Sequence, residues 1–334
     1  NIISQAFITP GTHIPMNYHF TTTKAHIELN GGTLHEIYTD EALKVKSDHP
    51  FKGNMDTAKL EALIEEVGVE AIPFIRLEAS TNLIGGQPFS MENMRQVRAI
   101  ADKAGIMLVL DASLIGENAW FIKQRESGYR SRSMQAIIHE MSELSDLVYF
   151  SARKLSSSRG GIICTSREQL YDQMRDLVPL FEGFLTYGGM SVREIEAMAV
   201  GLEETLDDQM INQSPGFIDY FVRKVDAMGL PVVTPGGALG AHIDAGSFLS
   251  HLPQTEYPAG ALVSAFYLIS GVRGMERGTI SSVRQADGSD LPADIELMRL
   301  AFPRRVFTLS QVEYVIDRLA WLYDNRKLVG GLQW

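Results

Sequence analysis

The 334-residue sequence has a single cysteine, Cys164. That excludes an intrachain disulfide and favours a reducing, cytoplasmic setting. No apolar run is long enough to span a bilayer, and the start does not have the pattern of a signal peptide. Positive charge is in deficit, with 30 Lys and Arg against 41 Asp and Glu and a net charge of −11. This balance argues against nucleic acid or an anionic membrane as the main partner. No His/Cys grouping has zinc spacing, and there is neither a G-x-S-x-G elbow nor a P-loop. No short-period repeat or low-complexity tract is present. An initiator Met is also missing. Asn1-Ile2-Ile3-Ser4-Gln5-Ala6 reads like the middle of a helix, and the chain stops on Trp334 without a tail, so both ends are expected to be trimmed.

What is present is an ordinary globular composition, 45% hydrophobic and 21% charged, with ample material for a core. The length suits two domains. Up to residue 166, strand and helix patterns alternate. Strands are expected at 14–20, 34–39 and 71–79. Helices are expected from Asp56 to Val67, from Ser90 to Ala104, and over 116–126 and 133–143. This order predicts an α/β fold with a mostly parallel sheet covered on both faces. Beyond 166, helices dominate to about Met228, including a long one expected over Val192–Met210. Short strands follow around 231–233, 241–245, 272–275 and 295–301, with helices at 258–269 and 309–324. The expected division is a large domain over 1–208, a connecting helical region over 209–240, and a small α+β domain over 241–334.

Two stretches carry chemistry. Leu147-Val148-Tyr149-Phe150-Ser151 reads as a buried strand, followed by Ala152-Arg153-Lys154 and a turn through Ser156-Ser157-Ser158-Arg159-Gly160-Gly161. In open α/β sheets the crevice at the carboxyl ends of the strands holds the ligand. A lysine there, among dry walls, loses its proton more readily and can attack a carbonyl to form a Schiff base. Upstream, Ile106-Met107-Leu108-Val109-Leu110 stops on Asp111. Alone, Asp111 would be a helix cap and Lys154 a solvated loop residue. Together they suggest pyridoxal phosphate, which needs a lysine for its aldehyde and an acid facing its ring nitrogen.

Other residues leave alternatives open. Arg299, inside the apolar run Leu297–Phe302, needs a partner. That partner is either a substrate carboxylate held bidentately or an internal acid. Arg277 can bind Glu276 or a substrate group. Tyr18 and Phe20 read as packing aromatics.

The sequence resembles the β-eliminating lyases, the family of tyrosine phenol-lyase and tryptophanase. The resemblance rests on Tyr18-His19-Phe20-Thr21-Thr22-Thr23 with His26 and Asn30-Gly31; on Phe51-Lys52-Gly53-Asn54; and on Thr81-Asn82-Leu83-Ile84-Gly85-Gly86-Gln87-Pro88. It continues through Glu117-Asn118-Ala119-Trp120-Phe121-Ile122-Lys123, Ser151-Ala152-Arg153-Lys154, Glu182-Gly183-Phe184-Leu185-Thr186-Tyr187-Gly188-Gly189 and Arg299-Leu300-Ala301-Phe302-Pro303-Arg304. These stretches run through almost the whole chain in family order. The resemblance implies the large aminotransferase-like fold (fold type I) and a homo-oligomer, dimer or tetramer.

By position, the resemblance implies that Lys154 bonds the pyridoxal phosphate and later moves the substrate α-proton. Asp111 would face the pyridine nitrogen, Phe20 would stack on the ring, and Asn82 would reach the 3-oxygen. Ser151 would help hold the phosphate, Arg153 is a further cofactor-binding residue, and Arg299 would bind the substrate α-carboxylate. Thr21 and Arg277, in Met275-Glu276-Arg277-Gly278, match the phenol-lyase pair that contacts the phenol hydroxyl. The family also implies a monovalent cation, K+, held in part by the loop after the lysine. That loop departs here, with Leu155 for the family's aspartate and one residue fewer before Gly160-Gly161. Leu114 replaces an arginine that contacts the cofactor.

The expected activity is β-elimination of L-tyrosine, or a close analogue, to phenol, pyruvate and ammonium. The alternatives are the same chemistry on tryptophan or a β-substituted alanine, and a non-catalytic homologue.

Overall fold

The computed structural model describes residues 1–282, 284–285 and 287–333; Val283, Ala286 and Trp334 lie outside the described residues. The chain divides into two compact units. One comprises 1–42 and 51–212, the other 43–50 and 213–334.

The first unit is built on a six-stranded sheet. Its strands are β1 (His13–Met16), β2 (Thr33–Glu36), β3 (Phe74–Glu78), β4 (Met107–Asp111), β5 (Leu147–Ser151) and β6 (Gly161–Cys164), in the order β2-β1-β3-β4-β5-β6. The first five are parallel, and β6 runs antiparallel to β5. Helical crossovers between parallel strands put helices on both faces, and alternate strand residues feed a separate core on each. Ile75, Leu77, Leu108 and Leu110 join the helices Thr57–Val67, Met91–Ala104, Ile115–Arg125 and Met134–Glu143. Ile14, Met16, Phe74, Val109 and Leu147 make the other core, with Ile2, Ile27 and Met174.

Helix starts follow local chemistry. Asp56 accepts the N–H groups of Ala58 and Lys59 at 3.1 Å each, and Ser90 accepts that of Asn93 at 3.1 Å. These are side-chain caps on otherwise orphaned amides.

Several expectations shift. The strand expected over 14–20 ends at Met16. The Asn17 side chain then takes over the pairing, donating to the carbonyls of Gly53 (2.9 Å) and Glu78 (3.1 Å) and accepting the Glu78 N–H (2.9 Å). The strand expected to be buried over 147–151 is fully buried only at Leu147. The long helix is not Val192–Met210. One helix covers Val192–Glu204, and a 20-residue helix covers Asp208–Ala227. Asp207 Oδ1 accepts the N–H groups of Gln209 (2.8 Å) and Met210 (2.9 Å), which starts the second helix afresh.

The second unit has an antiparallel sheet of β7 (Gly240–Asp244), β8 (Met275–Arg277) and β9 (Leu297–Ala301), ordered β7-β9-β8. Its core includes Phe221, Ile243, Phe248, Leu262, Phe266, Met298 and Ile316. The strand expected at 272–275 begins only at Met275. Gly271, left-handed at φ 70°, ends the helix Pro258–Ser270, and the chain needs Val272–Gly274 to turn back. The strand expected near 231–233 is reduced to a bridge between Val232 and Ile243.

Candidate active site

Strand register sets up the site in the first unit. Glu78 pairs with Asp111, and Asp111 pairs with Tyr149, so the three stand abreast near the carboxyl ends of β3, β4 and β5. Arg76 lies two residues before Glu78 and therefore on the same face of β3. All four side chains meet there. Arg76 donates from one terminal nitrogen to Asp111 Oδ2 at 2.5 Å and to Glu78 Oε2 at 3.1 Å, and from Nε to the Tyr149 hydroxyl at 2.8 Å. Tyr149 in turn donates to Asp111 Oδ2 at 3.0 Å. The other Asp111 oxygen, Oδ1, accepts the Ser113 N–H at 3.0 Å. Arg76, Glu78 and Asp111 are all buried.

These groups perturb one another. Burial alone would raise the Asp111 carboxyl, but Arg76 and the Ser113 hydrogen bond outweigh it and hold Asp111 below its usual range. For Glu78 the balance is reversed. Burial prevails over Arg76, the nearby Asp111 charge adds to it, and the carboxyl is pushed up. Burial likewise raises the Tyr149 phenol and keeps it a donor.

Lys154 follows directly on β5. It lies in the single helical turn Ala152–Leu155, entered through Ser151, whose N–H donates to Ser113 Oγ at 3.2 Å. The lysine Nζ stands 5.0 Å from the centre of the Phe20 ring. Phe20 begins the helix Thr21–Leu29 and is half-buried, so it is not the plain core aromatic that Tyr18 is. Asn82 is buried in a short turn after β3, and its N–H donates to Glu78 Oε1 at 3.1 Å.

Thus Lys154 is placed with Phe20, Ser151 with the Asp111 segment through Ser113, and Asn82 with Glu78. Arg153 is exposed beside Lys154, and Thr21 is exposed at the start of its helix. The two departures at Leu114 and Leu155 are both buried apolar side chains. Beyond Leu155, Ser156 donates to the Ala152 carbonyl and Ser158 to that of Glu194, each at 2.8 Å. These bonds fix the altered loop. Among the described residues no group of three or more His, Cys, Asp or Glu side chains is arranged to hold a metal ion.

A cavity of about 850 Å³ opens on the same unit, lined by Arg76, Tyr149, Arg153, Gly161, Cys164 and His26 among others. It reaches the arginine and tyrosine of the network.

In the second unit Arg277, on β8, is buried and pairs with Asp294 at 2.6 Å, donating also to the Ile295 carbonyl at 3.1 Å. Glu276, its neighbour in sequence, bonds Ser281 instead. Arg299 is central on β9, opposite His242 and Met275, and burial lowers the pKa of its guanidinium.

The profile of the family described as "Beta-eliminating lyase" matches residues 1–318. The chain belongs to the β-eliminating lyases. It is 44% identical over 333 residues to the tyrosine phenol-lyase of Intrasporangium calvum, covering 99% of this chain and 70% of that protein. It is 42% identical to the tyrosine phenol-lyase of Pasteurella multocida, covering 99% of this chain and 73% of the relative. Among solved structures it resembles an aspartate aminotransferase from Thermotoga maritima, with TM-score 0.65, 14% identity and coverage of 97% and 72% of the two chains. A serine palmitoyltransferase from S. paucimobilis gives TM-score 0.62 at 12% identity, covering 98% and 70%. The fold is therefore the aminotransferase-like α/β type.

The family implies pyridoxal phosphate, and the donor set suits it. A primary amine lies over an aromatic ring, and a buried acid held in its ionised form stands at a neighbouring strand end. Arg76, Glu78 and Tyr149 were not among the residues singled out from sequence. Yet an arginine and a glutamate two apart in the apolar run Phe74–Glu78 must share one face, and buried charges need partners.

Proposed function

We propose that this β-eliminating lyase cleaves L-tyrosine, or a close analogue, to phenol, pyruvate and ammonium. The observation that carries the reading is the site around Lys154 and Asp111, in a chain 44% identical over nearly its whole length to a tyrosine phenol-lyase. Bound pyridoxal phosphate supplies an electron sink for the charge left when the substrate loses its α-proton. Lys154 Nζ holds the cofactor and takes the α-proton. Phe20 covers one face of the ring, Asn82 reaches its 3-oxygen, and Asp111 faces its nitrogen. Ser151 helps hold the phosphate, and Arg153 is a further cofactor-binding residue. Arg299 binds the substrate α-carboxylate, and Thr21 and Arg277 bind the phenol hydroxyl.

The same reading assigns cofactor binding to residues 1–208, a connecting helical role to 209–240 and the small domain to 241–334. It includes a homo-oligomer, dimer or tetramer, acting in the cytoplasm. The exposed apolar side chains of Leu180, Phe184 and Val192 support an interface with a second copy. A monovalent cation, K+, would be held without the aspartate that Leu155 replaces.

One observation favours a second reading, elimination from another amino acid. Arg277 already has Asp294 at 2.6 Å. The test is product analysis of protein supplied with pyridoxal phosphate and tyrosine, tryptophan or an S-alkyl cysteine. Phenol and pyruvate in equal amounts from tyrosine support the first reading. Pyruvate from the other substrates alone supports the second. Pyruvate from none overturns both.

A further inference from the structure

The pairing of Arg76 with Asp111 changes what Asp111 offers a cofactor. A lone buried carboxylate would carry a full negative charge toward a protonated ring nitrogen. Here Asp111 Oδ2 is occupied by a guanidinium at 2.5 Å and by the Tyr149 hydroxyl at 3.0 Å. A cation at that distance in a buried setting cancels most of the acid's field. Asp111 and Arg76 together sum to zero, and a ring carrying a proton beside them would have no counter-charge.

The remaining acid is Glu78. It is buried and touches the same Arg76 nitrogen through Oε2 at 3.1 Å. Its other oxygen caps the N–H of Asn82 at 3.1 Å. The charged and titratable groups around it are Arg76 on its own strand, Asp111 on β4, Tyr149 on β5 and Lys154 in the turn beyond. With Glu78 ionised, the cluster of Arg76, Asp111 and Glu78 carries one net negative charge. With Glu78 protonated, it carries none.

Resting on the reading that this site binds pyridoxal phosphate, we propose that Glu78 is a positioning residue supplying the net negative charge for the cofactor's ring nitrogen, acting through Arg76 and Asp111. Asp111 makes the contact, Arg76 joins the two carboxylates, and Glu78 sets the charge of the assembly. Through the Asn82 N–H it also steadies the turn that carries a second ring contact. Burial pushes the Glu78 carboxyl up, and a protonated ring beside the cluster would act the other way, favouring its ionised form.

The test compares two probes on the full chain, pyridoxal 5′-phosphate and its 1-deaza analogue, which has carbon in place of the ring nitrogen. Affinity is read by absorbance and fluorescence titration, so the readout does not depend on turnover. Glu78→Gln keeps the side chain's size and an oxygen for its neighbours while removing the charge. It should weaken pyridoxal phosphate by ~10-fold or more, as expected for uncompensated buried charge, and leave the deaza analogue unchanged. The double variant Glu78→Gln with Arg76→Met returns the charge of Asp111 and should recover the preference for the nitrogen-bearing probe. Equal weakening of both probes would reduce Glu78 to a structural support and overturn the inference, as would unchanged affinity for both or a double variant that fails to recover the preference. If the unaltered protein binds neither probe, the cofactor reading itself falls and takes this inference with it. That outcome is distinct from the others because it appears before any substitution.

Discussion

Arg76→Met is the most informative single perturbation of the fold. Methionine fills much of the aliphatic volume but removes every donor. Lost are the bonds to Asp111 (2.5 Å), Glu78 (3.1 Å), the Tyr149 hydroxyl (2.8 Å) and the Tyr18 carbonyl (3.4 Å). Two buried carboxylates then share one site without a cation. Breaking a buried pair in this way costs about 3–5 kcal/mol. In a unit of this size each kcal/mol moves the melting temperature by about 2–4 °C, so a drop of about 6–20 °C is expected near pH 7.

The pH dependence has a definite sign. In the native chain Asp111 is held below its ordinary value, so its contribution is present above about pH 4 and disappears as pH falls through the depressed value. In the variant, Asp111 and Glu78 would both sit above their ordinary values. The variant therefore loses further stability as pH rises through the carboxylate range. The gap between the two proteins should be widest at neutral pH and shrink below about pH 4. Thermal melts by circular dichroism at pH 7 and pH 4, without added cofactor, measure this. A gap of the same size at both values, or one under about 1 kcal/mol at pH 7, would refute the reasoning, since the network would then contribute no more than a surface ion pair.

Three further outcomes are expected. Borohydride reduction of protein loaded with pyridoxal phosphate, followed by peptide mapping, should place the label on Lys154, and Lys154→Ala should abolish turnover while leaving the circular dichroism spectrum intact; label on another lysine would remove that assignment. Arg277→Ala should lower kcat/KM for tyrosine far more than for S-alkyl cysteines if the arginine reads a hydroxyl, because unpaired buried donors cost about 1–3 kcal/mol; equal losses, with a lower melting temperature, would make the Asp294 pair purely structural. Asp56→Ala removes the acceptor for two helix N–H groups and should cost about 1 kcal/mol in denaturant melts, with no change in cofactor affinity.

Much of the fold was legible because its signals are local. Asp56 and Ser90 each precede an apolar periodicity, and the helices begin where those caps stand. Asp111 ends β4, and Lys154 lies three residues beyond the end of its parallel neighbour β5, so both fall toward the carboxyl ends of the strands. The misplaced helix shows the limit. The interruption is at Asp207, whose carboxylate caps the next turn, and Pro215 lies within the helix that follows. The four-residue network was missed for another reason. Its members come from three strands, and only the register places Glu78, Asp111 and Tyr149 side by side. Arg76 and Glu78 each look tolerable alone. What they do depends on a lateral neighbour that no window along the chain contains.

Cys164 has a practical consequence. It is the chain's only cysteine, it ends β6, and it belongs to the wall of the cavity that reaches Arg76 and Tyr149. A thiol-directed fluorophore would attach at one address without any engineered substitution. That address lies on the strand paired with β5, directly opposite Val148 and close in sequence to Lys154. The residue is exposed, but its surroundings push the thiol pKa above its ordinary value, so conjugation should be slow at neutral pH and accelerate under mildly alkaline conditions. A dye at Cys164 would sit beside the chamber, on the hairpin that leads to the lysine, and its emission is expected to change when a ligand enters.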